Sequence, residues 1–325
     1  MSLDIFNIQP HEVSRDLRGY SVMFYGEPKS GKTTTASKFP KSLIIAFEKG
    51  YAALPGVKAL PVNSWSDFLK VLRQLKDPKA KDSYETIVID TADIAYDYCE
   101  QYICQINSVD SISQIPYGGG YTQVAKEFDA KLRSIVQLDF GLVLISHSTE
   151  KTFVSETGQE YSKIIPTLPN KARLICERAC DIIGYSRTVE TADGNKTMLF
   201  LRGTPRFEAG SRFPYTPDYI EFSYDNLVNA IGDSIDKQAQ TQGQFFVDDK
   251  NNINAQNVVV FDYDDLMNQF QSVTSELMKS DPQKYAPRIT EIVERHLGKG
   301  KKASEATRDQ AELLDIIVYE LKELQ

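Results

Sequence analysis

One stretch constrains this chain more than any other: Gly26-Glu27-Pro28-Lys29-Ser30-Gly31-Lys32-Thr33, continued by Thr34. It fits the spacing G-x-x-x-x-G-K-[ST], and its flanks fit the same structure. Tyr20 to Tyr25 is an apolar run of strand type, and Thr34 to Phe39 can continue as a helix. Strand, glycine loop and helix start together form a phosphate cradle. The glycines let backbone N–H groups turn toward one anion, and a helix N-terminus adds partial positive charge. Lys32 is placed to reach the β- and γ-phosphates of a nucleoside triphosphate, and the Thr33 hydroxyl to ligate Mg²⁺. The motif speaks for nucleotide binding and is silent on what the nucleotide drives.

A phosphate loop of this kind demands buried parallel strands ending on the same edge, and the sequence supplies three. Ser42 to Phe47 is continuously apolar and stops at Glu48-Lys49-Gly50. Unbroken apolar runs mark strands covered on both faces, whose C-terminal edge is where ligands bind. Glu48 is therefore either the carboxylate that orients and deprotonates the attacking water or a loop residue beyond a strand. Tyr84 to Thr91 closes on Asp90, the arrangement that holds Mg²⁺ downstream of a phosphate loop. The next residue is Thr91 rather than glutamate, so the base is not beside Asp90, which favours Glu48. Gly141 to Ser146 is the third strand, and His147 is read at its C-terminal end, as a γ-phosphate sensor or a simple strand cap.

Composition excludes some classes. With 325 residues, 41% apolar and 25% charged, the chain has the make-up of a globular protein of about two domains. A net charge of −8 argues against a surface coated for nucleic acid, although a local groove needs few cations. Cys99, Cys104, Cys176 and Cys180 lack zinc spacing and read as reduced core residues of a cytoplasmic protein. No signal-like start and no run of membrane length is present, so no membrane partner is expected.

Between and beyond these strands the reading is coarser. Ser64 to Asp67 looks like a capping box opening a helix that Asp77-Pro78 ends. Residues 94–106 read as a helix. Residues 107–121, ending in Tyr117-Gly118-Gly119-Gly120-Tyr121, read as a mobile loop, because three glycines are costly inside a regular element. Its aromatics either stack on bases or belong to a plain connector. Residues 152–163 make a hairpin around Thr157-Gly158, with Phe153, Tyr161, Lys151 and Lys163 available for stacking and phosphate contacts. Two further strands, 181–187 and 197–201, pair across Asp193-Gly194, and Arg202, Arg206 and Arg212 follow. Each arginine is either a finger reaching a neighbouring subunit's nucleotide or solvated surface.

Residues 232–257 turn polar and read as a linker interrupted by Phe245-Phe246-Val247. From about Asp262 the pattern is helical, with apolar faces at Leu266, Phe270, Val273 and Leu277, at Ile289, Ile292, Val293 and Leu297, and at Leu313, Ile316, Ile317 and Leu321. The expected domains are thus 1–231, a linker 232–257, and a small all-α domain 258–325 in which Gly298 to Lys302 is the densest basic stretch.

The order of these motifs resembles the RecA-like recombinase ATPases, and within them phage-encoded ATP-binding proteins related to single-strand annealing recombinases. The resemblance covers roughly residues 18–231 and rests on residues 26–34, the strand ending in Glu48, Thr86 to Asp90, and Leu144 to His147. It implies an α/β core with a mainly parallel sheet, and ATP with Mg²⁺ as cofactors. It implies Glu48 as catalytic base and His147 in the sensor position, where recombinases usually carry glutamine. It implies DNA-binding loops near 107–121 and 150–165, and Arg202, with Arg206 a second candidate, as the cation acting in trans. The activity expected is an ATPase of the bacterial host's cytoplasm, homo-oligomeric, binding single-stranded DNA in phage recombination or replication. The alternative is a nucleotide-switched adaptor engaging phage or host replication proteins, a helicase or a single-strand-binding protein, through the helical tail. A P-loop phosphotransferase fits poorly, because a lid rich in arginine is missing from residues 100–130, where Lys126 is the single cation.

Overall fold

The computed structural model describes residues 10–192, 194–242, 246–253 and 261–324. The expected turn at Asp193 and the docking residue Phe245 lie outside the described residues. Two compact units are present, Met1–Asn257 and Val258–Gln325.

In the first unit a short β1 (Val13–Ser14) precedes β2 (Ser21–Gly26), which delivers the chain to the phosphate loop. The helix after the loop, α1 (Lys32–Ala36), is five residues long and ends earlier than expected. β3 (Ser42–Ala46) and β4 (Ala59–Pro61) follow, then α2 (Trp65–Gln74), where the Ser64 hydroxyl accepts the Asp67 N–H as the capping pattern predicts. Asp77 starts a second helix as well as following the first. Its carboxylate caps α3 (Pro78–Ser83), with Pro78 in the first turn, where its missing N–H costs nothing. β5 (Thr86–Asp90) and α4 (Ala92–Asn107) come next.

The glycine run is not a loop. Gly119 and Gly120 open α5 (Gly119–Gln137), with Gly118 at φ +67° as its N-cap. A Cβ on Gly120 would lie 2.3 Å from the Ile112 carbonyl oxygen, so glycine lets the preceding turn pack directly on the helix. The next strand also differs from expectation. β6 (Gly141–Val154) runs straight through His147, and β7 (Glu160–Pro166) returns along it as the predicted hairpin. Thereafter come α6 (Asn170–Ala179), β8 (Ile182–Thr191), β9 (Gly194–Phe200), β10 (Gly210–Ser211), β11 (Tyr219–Glu221), α7 (Tyr224–Gln242) and β12 (Phe246–Val247).

The main sheet is ordered β11-β9-β8-β2-β6-β5-β3-β4. Neighbours from β8 to β4 are parallel, and β9 and β11 are antiparallel additions. β6 thus separates the loop strand from the Asp90 strand. Val22, Met23, Phe24 and Tyr25 are fully buried because helices cover both faces. Trp65, Phe68, Phe128 and Cys176 pack on one face, and Phe39, Leu227, Ile231 and Ile235 on the other. Residues 232–242 are therefore a continuation of a core helix rather than linker. Leu227, Ile231 and Ile235 recur every fourth residue, and the polar outer face hid that stripe.

In the second unit α8 (Tyr263–Ser280), α9 (Pro282–Leu297) and α10 (Ala311–Lys322) share a core. On α10 Ile317 and Leu321 of the expected stripe are buried, joined by Leu314 and Val318 rather than Leu313 and Ile316, and Ile316 is exposed. Thr307 and Gln310 form a capping box before α10. Among the described residues no helix is long and apolar enough to cross a membrane.

Candidate active site

β2 ends at Gly26 because no side chain fits there: φ is +149°, and a Cβ would lie 2.0 Å from the Ser186 carbonyl oxygen. Pro28 and Lys29 are exposed at the outer turn of the loop, and Thr34 is exposed beyond it. Gly31 has φ +81°, and among the described residues nothing lies within 4 Å of where its Cβ would stand. The loop is buttressed from β8 by a residue that no motif singled out. Ser186 Oγ sits 2.7 Å from Ser30 Oγ and donates to the Tyr25 carbonyl at 3.2 Å, and the Ser186 carbonyl accepts the Glu27 N–H at 3.4 Å.

Lys32 is 6% exposed. Its ammonium donates to the carbonyls of Gly26 (3.1 Å) and Glu27 (2.7 Å), bracing the loop from inside. Burial pulls its pKa below the usual lysine value, against the nearby carboxylates Asp90 and Glu48. The Thr33 hydroxyl donates to Asp90 Oδ2 at 2.9 Å. Asp90 is fully buried, which pushes its carboxyl up to about 6, partly offset by the Thr33 bond. Among the described residues its Oδ1 has no hydrogen-bond partner, and neither does the buried hydroxyl of the next residue, Thr91. An orphaned carboxylate oxygen on a side chain whose other oxygen meets the Thr33 hydroxyl is the hard-oxygen donor set that suits Mg²⁺, so the residues fit the cation the motif implies.

Gly50, read from sequence as the stop after a strand, closes this corner. A Cβ on it would lie 3.0 Å from Asp90 Oδ2, 3.1 Å from Thr33 Oγ1 and 3.7 Å from Glu48 Oε1. Gly50→Ala is expected to crowd the cation's place and raise the Mg²⁺ concentration for half-maximal nucleotide turnover by about tenfold. Titrating Mg²⁺ against turnover checks this, and an unmoved midpoint would place Gly50 outside the site.

Register brings the remaining groups to the same edge: Ala46 pairs with Asp90, Asp90 with Ile145, and His147 with Gly26. The Glu48 N–H donates to the Asp90 carbonyl at 3.2 Å, fixing the turn after β3. Glu48 Oε2 then lies 3.3 Å from His147 Nε2. This contact holds the Glu48 carboxyl below its ordinary value and lifts the His147 imidazole above its own. Glu48 is thus an ionised acceptor at neutral pH, beside the cation corner and partly open to water. A further unforeseen residue, Asp93, accepts from the Ser146 hydroxyl and the His147 N–H. The available signal was an acidic residue in the first turn of the helix after the Asp90 strand.

The arginines do not join this group. Arg202 donates to the carbonyls of Phe213, Pro214 and Thr216 of its own chain, anchoring the loop before β11. Arg206 is exposed. Arg212 pairs with Asp181 at 3.2 Å, at the start of β8 and so at the opposite edge of the sheet. In the hairpin, Phe153 and Tyr161 stack at 5.8 Å between centroids, with the Lys151 ammonium 5.9 Å from the Phe153 ring. Lys163 is engaged by Glu208 at 3.3 Å. Tyr117 is fully exposed.

The AAA domain family matches residues 18–213. The SPbeta prophage-derived uncharacterized protein YorG of Bacillus subtilis (strain 168) is 31% identical over 338 residues, spanning 100% of this chain and 99% of that protein. Two solved structures are fold-level matches of low score. The KaiC-like protein PH0186 of Pyrococcus horikoshii OT3 has a TM-score of 0.34 and 12% identity, over 63% of this chain and 90% of that one. The flagellar accessory protein FlaH of Methanocaldococcus jannaschii has a TM-score of 0.33 and 10% identity, over 63% of this chain and 85% of that one. The family match runs from the residues before β2 to those after β10 and so takes in Lys32, Thr33, Glu48, Asp90 and His147: the chain belongs to the AAA domain family of P-loop nucleotide-site proteins.

Proposed function

We propose that this protein is a phage-encoded ATPase that uses ATP to act on single-stranded DNA in recombination or replication. The observation that carries the reading is the Glu48–His147 pair. It stands at one sheet edge with Lys32, Thr33 and Asp90, and β6 runs on from it into a hairpin of stacked aromatics. Lys32 would neutralise charge on the transferred phosphate, and Glu48 would take the proton of the attacking water. Mg²⁺, held by Thr33 and Asp90, would supply further charge neutralisation at the phosphates. Phe153 and Tyr161 offer π faces to bases without sequence preference. The prophage origin of YorG and its full-length similarity support the phage assignment and a bacterial cytoplasmic setting. Assembly into homo-oligomers belongs to the same reading.

The test is ATP turnover with and without single-stranded DNA at low and moderate salt. Stimulation that fades with salt is expected, since phosphate contacts release counterions. Turnover indifferent to DNA would favour the second reading, an adaptor working through the helical unit. That reading draws on Tyr319, 60% exposed, and Ile316, 37% exposed, on α10.

A further inference from the structure

We infer that Asp93 is the positioning residue of this site: it sets the main chain of His147, and through His147 the catalytic carboxylate of Glu48. The inference rests on the ATPase reading. The β5–β6 ladder ends at the pair Asp90–Ile145. Two residues further along β6 the His147 N–H donates to Asp93 Oδ2 at 2.9 Å, so a side chain extends the ladder where β5 has stopped. Asp93 Oδ1 takes the Ser146 hydroxyl at 2.5 Å. On the other side the His147 carbonyl accepts the Thr167 N–H at 3.0 Å. His147 is therefore held through both its backbone groups, and its imidazole swings from a fixed pivot to meet Glu48 at 3.3 Å. Asp93 itself comes from the first turn of α4, three residues after Asp90. The same short segment thus supplies the cation ligand and the clamp on the base's partner. A displacement of about 1 Å in such a chain can cost about 10²-fold in rate.

Placement and charge make different predictions. Asn at position 93 can keep both bonds, its oxygen accepting the His147 N–H and its amide donating to the Ser146 hydroxyl. Asp93→Asn is expected to hydrolyse ATP within about threefold of wild type, and Asp93→Ala to lose at least about tenfold in kcat with unchanged nucleotide affinity. Asp93→Ala placed in a His147→Gln background is expected to add nothing further. Wild-type kcat in Asp93→Ala, an equal fall in Asp93→Asn, or additive losses in the double variant would each overturn the inference. If Asp93→Ala does not fold, Asp93→Glu carries the test. It keeps the charge, pushes the His147 main chain away and is expected to lose turnover, so wild-type kcat there is equally fatal. A readout independent of hydrolysis separates this from the ATPase reading. The His147 imidazole resonance, identified by its loss in His147→Gln, should shift in Asp93→Ala and stay in Asp93→Asn. A full-length protein without ATP turnover would end the ATPase reading, while an unmoved resonance in Asp93→Ala would end the inference about Asp93.

Discussion

Replacing Glu48 with glutamine is expected to leave ATP bound and to slow its hydrolysis by at least about 10²-fold. The amide has the same shape, and its oxygen can still accept from a His147 Nε2–H at the 3.3 Å contact, so the pocket keeps its form. What disappears is a carboxylate that the His147 contact holds ionised beside the Thr33–Asp90 corner. Asp90 is not placed to substitute: it is fully buried, and its Oδ2 is taken by the Thr33 hydroxyl at 2.9 Å. Nucleotide affinity measured by fluorescence, alongside single-turnover hydrolysis, separates binding from chemistry. Hydrolysis at the wild-type rate would move the base elsewhere.

Lys32→Ala is expected to abolish measurable turnover, a loss of about 10²- to 10³-fold or more, because the charge developing on the phosphoryl oxygens loses its ammonium partner. Here the free protein is informative too. The lysine is buried and its ammonium bonds to loop carbonyls, so folding carries a desolvation cost that the alanine removes along with the two hydrogen bonds. The melting temperature of the nucleotide-free protein should move by only a few degrees, so lost turnover cannot be blamed on unfolding. Turnover at the wild-type level in this variant would end the assignment of the loop as the ATP site.

How far the sequence could be read depended on whether a local signal carried the tertiary fact. Gly26, Lys32, Thr33 and Asp90 were legible because the loop's chemistry is local and the apolar runs that bring Asp90 alongside are unbroken. Glu48 was legible by position, since an edge of a parallel sheet gathers whatever ends each strand. Asp93, Ser186 and Gly50 were not, because each matters only for what it meets across the sheet: a backbone N–H on β6, a hydroxyl in the loop, a carboxylate on β5. The glycine run misled for the same reason. Its propensity says loop, while the close approach of Ile112 makes a helix of it. Arg202 could not be placed by type, since a guanidinium binds its own chain's carbonyls as readily as a neighbour's phosphate.

The continuity of β6 has a mechanical consequence. A flexible loop after His147 would report the nucleotide by becoming ordered, one residue at a time. A strand that does not stop works as a lever, with its short arm in the sheet, its fulcrum at His147 and its long arm the hairpin braced by β7. From His147 to Val154 that arm is roughly 23 Å, so a tilt of about 5° at the fulcrum carries the tip roughly 2 Å, as one rigid piece. Whatever rests against Phe153 and Tyr161 would feel the state of the phosphate site as a displacement, and a load placed on them would be felt in turn at Glu48.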